Sequence, residues 1–397
     1  MGEYIVAEKV DQASRLLSEL GIDVWLTFVR ETTESGDPVL PLIADHPVTW
    51  QSAFLITRRG ERIAIVGKYE DEAVRSSGVW RDVRAYVEGI RTPLRAALDE
   101  LAPASIAVNY SVDDVKADGL SHGMYLLLLE HLEGTPHASR LVSAADVIRR
   151  LRGVKSVTEC GRLRAAIAAT DAIFEAVVSF ARPGRTEAAI HAFMHDRVAQ
   201  GGMATAWDPA GCPIVTTGPD SMVGHGVPSP HLAVRAGGVF HLDFGVRLDG
   251  YCSDLQRVWY VPEPDETAAP ADVRRAFATV QGAIDAAAAV LRPGVAGWEV
   301  DAAARAVVVS AGYPAYEHAT GHHVGRAAHD GGGVLGPRWE RYGRTPLHPV
   351  EAGNVFTLEL GVDIPGRGYL GLEEMVLVTS DGIEWLSARQ TSLPLLR

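Results

Sequence analysis

The sequence predicts an α+β chain in two parts. Residues 1–153 read as an α/β N-terminal domain, and residues 154–397 as a C-terminal domain of two related helix–helix–hairpin halves. Three observations lead there. Helix and strand signals alternate through the first third, the pattern of a mixed sheet. A short basic segment from Ala144 to Lys155, closed by Gly153, separates that third from a long helical pattern. Beyond it the order of features repeats. A helix pattern ending at Ala181-Arg-Pro-Gly184 leads to a second helix and then to the acidic strand Asp243–Val246. A helix pattern ending at Leu291-Arg-Pro-Gly294 leads to another helix and then to Glu359–Val362.

Residues 7–20 carry apolar positions at helical spacing and stop at Gly21, a natural C-terminal glycine. Asp23–Val29 and Ser52–Thr57 read as strands, and Arg59-Gly60 turns the second into a third, Arg62–Val66. The acidic stretch of Glu31, Glu34 and Asp37 has no ligand spacing and reads as a solvated loop. The most apolar helical run, from Met124, ends at Glu130, far short of the roughly 20 residues needed to span a bilayer. A long helix is expected from Ser156 to Phe180.

With 397 residues, 47% of them apolar and 22% charged, the chain has the composition of an ordinary globular protein. Its net charge of −13 opposes phosphate backbones and anionic lipid, so neither nucleic acid nor a membrane is an expected partner. Cys160, Cys212 and Cys252 are too few and too scattered for a disulfide framework, and their odd number fits a reducing compartment. The first residues lack the basic and apolar regions of a signal peptide, so the expected location is cytoplasmic.

The chemistry concentrates in two hairpins. Asp249-Gly250 is a strong two-residue turn signal. With that turn, Leu248 pairs with Tyr251, Arg247 with Cys252 and Gly245 with Asp254, and Asp243 shares a face with Gly245, diagonal to Asp254. In the second hairpin a loop of Pro365, Gly366 and Arg367 sets Glu359 opposite Glu373 and Gly361 opposite Gly371. Carboxylates placed side by side among apolar strands repel and resist desolvation, and a cation resolves that conflict. Four converging oxygen ligands suit a pair of divalent ions. The competing reading is that these carboxylates pair with Arg247, Arg257 or Arg367. A nitrogen ligand is available in His318-Ala-Thr-Gly-His322-His323, with His329 nearby, and glycines 321 and 325 suggest a close backbone approach rather than a helix. His225, in a loop ahead of the Asp243 strand, is a further candidate.

This constellation resembles the metallopeptidases of the pita-bread fold, which include prolidases, aminopeptidases P, methionine aminopeptidases and the metal-free creatinase. The motif is an Asp, a second Asp eleven residues on, a His within H-x-x-G-H-x-x-G, and two late Glu. Asp243, Asp254, His322, Glu359 and Glu373 fill it. The resemblance covers residues 155–397 most strongly, and the prolidase and creatinase branch also carries an N-terminal α/β domain. It implies a pita-bread catalytic domain at 154–397 preceded by a creatinase-like domain at 1–153 that limits substrate length. It further implies two divalent ions (Mn, Co or Zn), with Asp243 on one, His322 and Glu359 on the other, and Asp254 and Glu373 bridging. A hydroxide held between the ions would hydrolyse dipeptides or short peptides, Xaa-Pro by default, with Glu359 shuttling the proton. His225, His318 and His329 resemble residues that steady the reacting group or line the substrate site. Most relatives dimerise, which implies a homodimer.

The departures bear on specificity. Glu359-Leu-Gly361 replaces Glu-Pro-Gly, Gly371 stands where an arginine is common, and Gln256 stands where Thr is usual. Arg367 is a candidate replacement for that arginine. The alternatives are a dipeptidase that selects an N-terminal residue such as Met without requiring proline and, further off, an inactive binding protein on the same fold. Glu374 competes with Glu373 for the last ligand position, and the facing-strand register selects Glu373.

Overall fold

The computed structural model describes residues 2–34, 36–222, 224 and 226–397, with side chains described from Ile5 onward. The chain divides into two compact units, Met1–Arg152 and Gly153–Arg397.

In the first unit six strands form one mixed sheet: β1 (Val24–Val29), β2 (Ser52–Thr57), β3 (Arg62–Gly67), β4 (Asp82–Tyr86), β5 (Ile106–Val108) and β6 (Leu141–Ser143), in the order β4-β3-β2-β1-β5-β6. β1, β2 and β3 are antiparallel neighbours, while β4, β5 and β6 join parallel. β1 through β3 are buried along their whole length. This follows from helices on both faces, which turn the strands into near-continuous apolar runs. On one face Trp25, Phe54, Ile56 and Val66 pack with Val10 and Leu17 of helix Gly2–Leu20 and with Val147, Ile148 and Leu151 of helix Ala145–Gly153. On the other, Val24, Leu26, Leu55 and Ile65 meet Leu94 and Leu98 of helix Arg91–Leu101 and Leu128 and Leu132 of helix His122–Leu132.

Asp37 departs from the expected solvated loop. It is buried, accepts from Asn109 Nδ2 (2.8 Å) and from the Val39 amide (2.9 Å), and burial pushes its carboxyl up. Asn109 also accepts from the Trp25 indole at 2.6 Å, so the loop is tied to the centre of the sheet. Glu31 and Glu34 remain exposed.

In the second unit Ser156 caps the helix Val157–Phe180 through a capping box with Glu159, and helix Glu187–Gln200 follows. The strands are β7 (Ala204–Thr205), β8 (Ile214–Thr216), β9 (Val239–Phe244), β10 (Val246–Leu248), β11 (Tyr251–Cys252) and β12 (Leu255–Tyr260). Helices Ala271–Val290 and Gly297–Ser310 come next, then β13 (Gly321–His322), β14 (Val334–Leu335), β15 (Val355–Ile364), β16 (Gly368–Val378) and β17 (Ile383–Trp385). Each half therefore runs helix, helix, hairpin. The breaks between paired helices carry Gly184 and Gly294, both at positive φ.

Both hairpins have the expected register. Asp249 and Gly250 take φ of 50° and 81°, as a two-residue primed turn requires, and Arg247 pairs with Cys252 and Leu248 with Tyr251. In the other, Glu359 faces Glu373 and Gly361 faces Gly371. The pairing of Gln256 with Glu373 joins the strands of the two halves into a single sheet in the order β15-β16-β12-β9-β8. The helices Ala271–Val290 and Gly297–Ser310 cover its apolar face through Val273, Phe277, Val280, Ile284 and Val300, packed on Phe356, Leu358, Leu360 and Leu372.

A buried ion pair ties the start of this unit to the segment after β13. Lys155 Nζ lies 3.0 Å from Asp330, and the two side chains are 0% and 4% exposed. Asp330→Ala should destabilise this unit by about 3–5 kcal/mol, because it leaves an ammonium buried without its carboxylate. Urea unfolding should report it as a lower midpoint.

Candidate metal centre

The sheet builds the site by register. In antiparallel strands, directly opposed residues share a face, and so do residues two apart in one strand. Asp243 of β9 faces Gln256 of β12, Gln256 faces Glu373 of β16, and Glu373 faces Glu359 of β15. The four side chains therefore form one row across the sheet. Asp254, two residues before Gln256, joins it from the short break between β11 and β12.

His322 arrives from another direction. β13 lies against β15, with the Glu359 amide donating to the Thr320 carbonyl at 2.8 Å and the His322 amide to Thr357 Oγ1 at 3.1 Å. Gly321 permits this approach, since a Cβ there would run into the Thr357 carbonyl. The ring's Nδ1 donates to the His323 carbonyl at 3.3 Å, and burial, with His329 adding to it, pulls its pKa down to about 3. A neutral imidazole with its proton on Nδ1 leaves Nε2 bare. That nitrogen faces Glu359 Oε1 at 3.4 Å, Asp254 Oδ2 at 3.7 Å and Glu373 Oε1 at 3.9 Å.

Acceptors thus meet acceptors. Ligand atoms of Asp254, His322 and Glu373 lie within 4.8 Å of one another. Among the described residues, both oxygens of Glu373 and Oδ1 of Asp243 are buried without a hydrogen-bond partner. Burial raises all four carboxyl groups, and mutual repulsion adds to it for Asp243, Asp254 and Glu373. Glu359 is raised to about 7 by burial, against a lowering hydrogen bond from Gln256. Ligand bonds of about 2.0–2.2 Å put neighbouring donor atoms roughly 3–3.5 Å apart, so this donor set fits a divalent cation with small movement.

Of the arginines that offered a competing explanation, Arg257 and Arg367 are engaged elsewhere, and Arg247 is exposed, opposite Cys252. Arg257 lies 3.2 Å from Glu374, whose carboxylate also accepts from Ser387 Oγ at 2.6 Å and from the Gln390 amide at 2.8 Å. Glu374 thus sits on the opposite face from Glu373, as a structural ion pair. Arg367 is held at the hairpin tip by Asp272 at 2.8 Å and by the Gly237 carbonyl at 2.9 Å. Glu373 is six strand steps further on, about 20 Å at strand rise. Arg367 therefore does not replace the missing arginine.

The other histidines divide. His329 is exposed and packs edge-on against His322, with ring centroids 4.2 Å apart. His318 donates from Nδ1 to the Ala319 carbonyl at 2.8 Å, its ring lies beside Tyr316, and burial lowers its pKa. His323 is buried against Phe356 and donates to the Val355 carbonyl, away from the carboxylates. His225 lies outside the described residues.

Two neighbours had no sequence signal beyond strand parity. His241 is two residues before Asp243 and so on its face; its Nε2 bonds Gln256 Oε1 at 3.0 Å, and burial lowers its pKa to about 4. Tyr369 is in phase with Gly371 and Glu373 and packs edge-on against His241 at 5.1 Å. Gly371 makes room for this group, since a Cβ there would meet Gln256 Oε1 at 2.6 Å and His241 Nε2 at 3.0 Å. The place occupied by arginine in the resembling motif is thus backed by Gln256, His241 and Tyr369.

The raised carboxyls have a stability consequence. With no cation, Glu359 favours its protonated form from its ordinary 4.5 up to about 7, so its stabilising effect is present below 4.5 and lost as pH rises through 7. A divalent ion does the reverse, because it binds deprotonated ligands. The gap in melting temperature between Mn-loaded and chelated protein should therefore widen from pH 5 to pH 8. At pH 8, Glu373→Gln should raise the melting temperature of chelated protein and lower that of Mn-loaded protein, by roughly 2–4 °C per kcal/mol. Calorimetry on both forms checks the inversion.

Comparison with known proteins agrees with this geometry. The probable dipeptidase PepE of Mycobacterium bovis is 36% identical over 256 residues, 61% of this chain and 60% of that protein. An Xaa-Pro dipeptidase from Bacillus anthracis superposes with a TM-score of 0.75 at 25% identity, covering 98% of this chain and 100% of that one. Dipeptidase PepE from Mycobacterium ulcerans does so with 0.74 at 27%, covering 100% and 99%. The match to PepE of M. bovis thus spans about three fifths of that protein's length. Among the described residues no helix is long and apolar enough to cross a membrane. The model of metallopeptidase family M24 matches residues 161–380, a stretch containing the whole carboxylate row and His322, and the chain belongs to that family.

Proposed function

We propose that this chain is a metal-dependent exopeptidase that hydrolyses dipeptides or short peptides and resembles Xaa-Pro dipeptidases in its chemistry. One observation carries the reading. Four carboxylates, buried at Asp254 and Glu373 and half-buried at Asp243 and Glu359, face one another and one bare imidazole nitrogen, with orphaned oxygens and, among the described residues, no arginine paired to them. Asp243, Asp254, His322, Glu359 and Glu373 would hold two divalent ions (Mn, Co or Zn), with Asp254 and Glu373 shared. Bound there, the ions would supply Lewis acidity, polarising a peptide carbonyl and making water acidic enough to attack near neutral pH.

The rest falls to the chain's own groups. Glu359 would accept a proton from the attacking water and pass it to the leaving amine, the role the resemblance implies for it. The bond from His322 Nδ1 to the His323 carbonyl holds the imidazole in the tautomer that leaves Nε2 free. His329 and His318, beside that ring and in the preceding turn, would hydrogen-bond the reacting carbonyl or line the substrate site, and His225 is assigned the same kind of role by resemblance. In the same proposal residues 1–153 form a prolidase-like domain that limits substrate length, and the protein is a homodimer acting in the cytoplasm.

A second reading concerns the substrate, and a specific observation favours it. With Gly371 in place of arginine and Arg367 tied to Asp272, neither offers the centre a guanidinium for a substrate carboxylate. A dipeptidase that selects its N-terminal residue, without requiring proline, fits that neutral lining.

Chelated protein, with and without Mn, should be assayed on Ala-Pro, Ala-Pro-Ala, Met-Ala and Met-Gly for free amino acid release. Metal-restored cleavage is the expected result. Ala-Pro alone marks a prolidase, Ala-Pro-Ala an aminopeptidase P, and preference for the Met dipeptides the second reading. No cleavage of any member by metal-bound protein points to a binding protein on this fold. Asp254→Ala and Glu373→Ala should each abolish turnover. More than about a tenth of wild-type activity, under 1.4 kcal/mol of barrier, removes the two-metal assignment.

A further inference from the structure

The carboxylate row contains one neutral member, Gln256, lying between Asp243 and Glu373 by register. Its amide nitrogen donates to Glu359 Oε2 at 3.1 Å, and its amide oxygen is 3.0 Å from His241 Nε2. Each end constrains the other. As a metal ligand Glu359 is ionised, and an ionised carboxylate accepts and does not donate, so the NH2 faces Glu359. The carbonyl oxygen then faces His241, so Nε2 of His241 carries the proton, and His241 Nδ1, buried with no hydrogen-bond partner among the described residues, is the bare nitrogen. The opposite flip of the amide would set two oxygens against each other at Glu359. Gly371 supplies the space in which the amide and the imidazole meet, and Tyr369 packs edge-on against the same imidazole.

Glu359 is thereby held by one oxygen, with the other directed at His322 Nε2, 3.4 Å away. We infer that Gln256 is a positioning residue for the metal centre: locked in its amide orientation by His241, it fixes the rotamer of Glu359 and so the geometry at which that carboxylate meets a cation. This rests on the peptidase reading only in taking Glu359 as a metal ligand. His241 acts through Gln256 and does not itself meet the centre. Outer partners of this kind orient ligating carboxylates, and their loss typically costs about 10–100-fold in metal affinity or activity.

Gln256→Leu keeps the volume and deletes both bonds, while His241→Phe keeps a ring and deletes the donor that orients the amide. Mn affinity is measured by electron paramagnetic resonance titration of the chelated full-length chain, with kcat and KM on whichever dipeptide the wild type cleaves and circular dichroism to check folding. Gln256→Leu is expected to weaken Mn binding about 10-fold or more and to lower kcat with KM within about twofold. His241→Phe should weaken binding less, and the double variant should equal Gln256→Leu alone, since His241 has nothing to orient once the amide is gone. A folded Gln256→Leu that binds Mn as the wild type does overturns the inference and leaves the peptidase reading intact. Additive losses in the double variant overturn the role assigned to His241. If Gln256→Leu fails to fold, His241→Phe alone decides: unchanged Mn affinity and kcat overturn the locked amide. A wild type that binds no Mn, Co or Zn removes the metallopeptidase reading and this inference together.

Discussion

Four carboxyl groups in one row of a sheet repel one another, and the rest of the second unit is arranged around that fact. Two unit charges about 4 Å apart interact by about 4 kcal/mol at the effective dielectric of a protein, and the whole stability of a domain is about 5–15 kcal/mol. A fully ionised row would consume a large part of that stability. The protein can take up protons, and the raised carboxyl pKa values of Asp243, Asp254, Glu359 and Glu373 describe that state. It can also take up cations, and the bare Nε2 of His322 favours this, because an imidazole already tautomerised away from the cluster is a ready ligand. Holding like charges together requires stiffness. The ten-pair ladder between β15 and β16, and the helices packed on its back, supply it.

Strand parity decides which acidic residues share this burden. Glu373 and Glu374 are adjacent in sequence and equally buried, yet one has two orphaned oxygens and the other a complete set of partners in Arg257, Ser387 and the Gln390 amide. The same Arg257 donates to the backbone carbonyls of Gln256 and Glu373, so the ion pair on one face fixes the backbone from which the ligands on the other face project. His322 and His323 divide in the same way, one toward the carboxylates and one onto Phe356. A one-residue slip in either hairpin would exchange these sets.

Register inside each hairpin was legible in the sequence because turn chemistry is local. Asp249-Gly250 selects a primed two-residue turn, and once the turn is set every pair follows. The join between hairpins was not legible, because Gln256 meets Glu373 across more than a hundred residues and no turn specifies that pairing. Gln256 could therefore be read only as an odd residue beside Asp254, with neither of its partners in view. Arg367 failed for a related reason: its sequence distance from Glu373 is short, but along an extended strand it is carried to the far end and captured by Asp272. Asp37 shows the limit of composition, since an acidic residue among Pro, Gly and Ser reads as solvated until Asn109 arrives from β5's far end to bury it.

The chemical identity of residue 256 follows from its position in the row. A fifth carboxylate there would add charge to a cluster that already resists ionisation. A lysine or arginine would neutralise the cluster by itself and compete with a cation for the same oxygens. An apolar side chain would leave Glu359 Oε2 without its donor in a half-buried place. Glutamine alone among these options is neutral, reaches Glu359 with a donor and presents an acceptor to His241 on its other side. The acceptor in turn requires a donor that carries no charge of its own, which a buried histidine with its pKa near 4 provides. Gly371 completes the set by contributing no side chain, because any Cβ at that position would press on both partners of the bond. Three positions on three different strands are thus specified by one carboxylate oxygen.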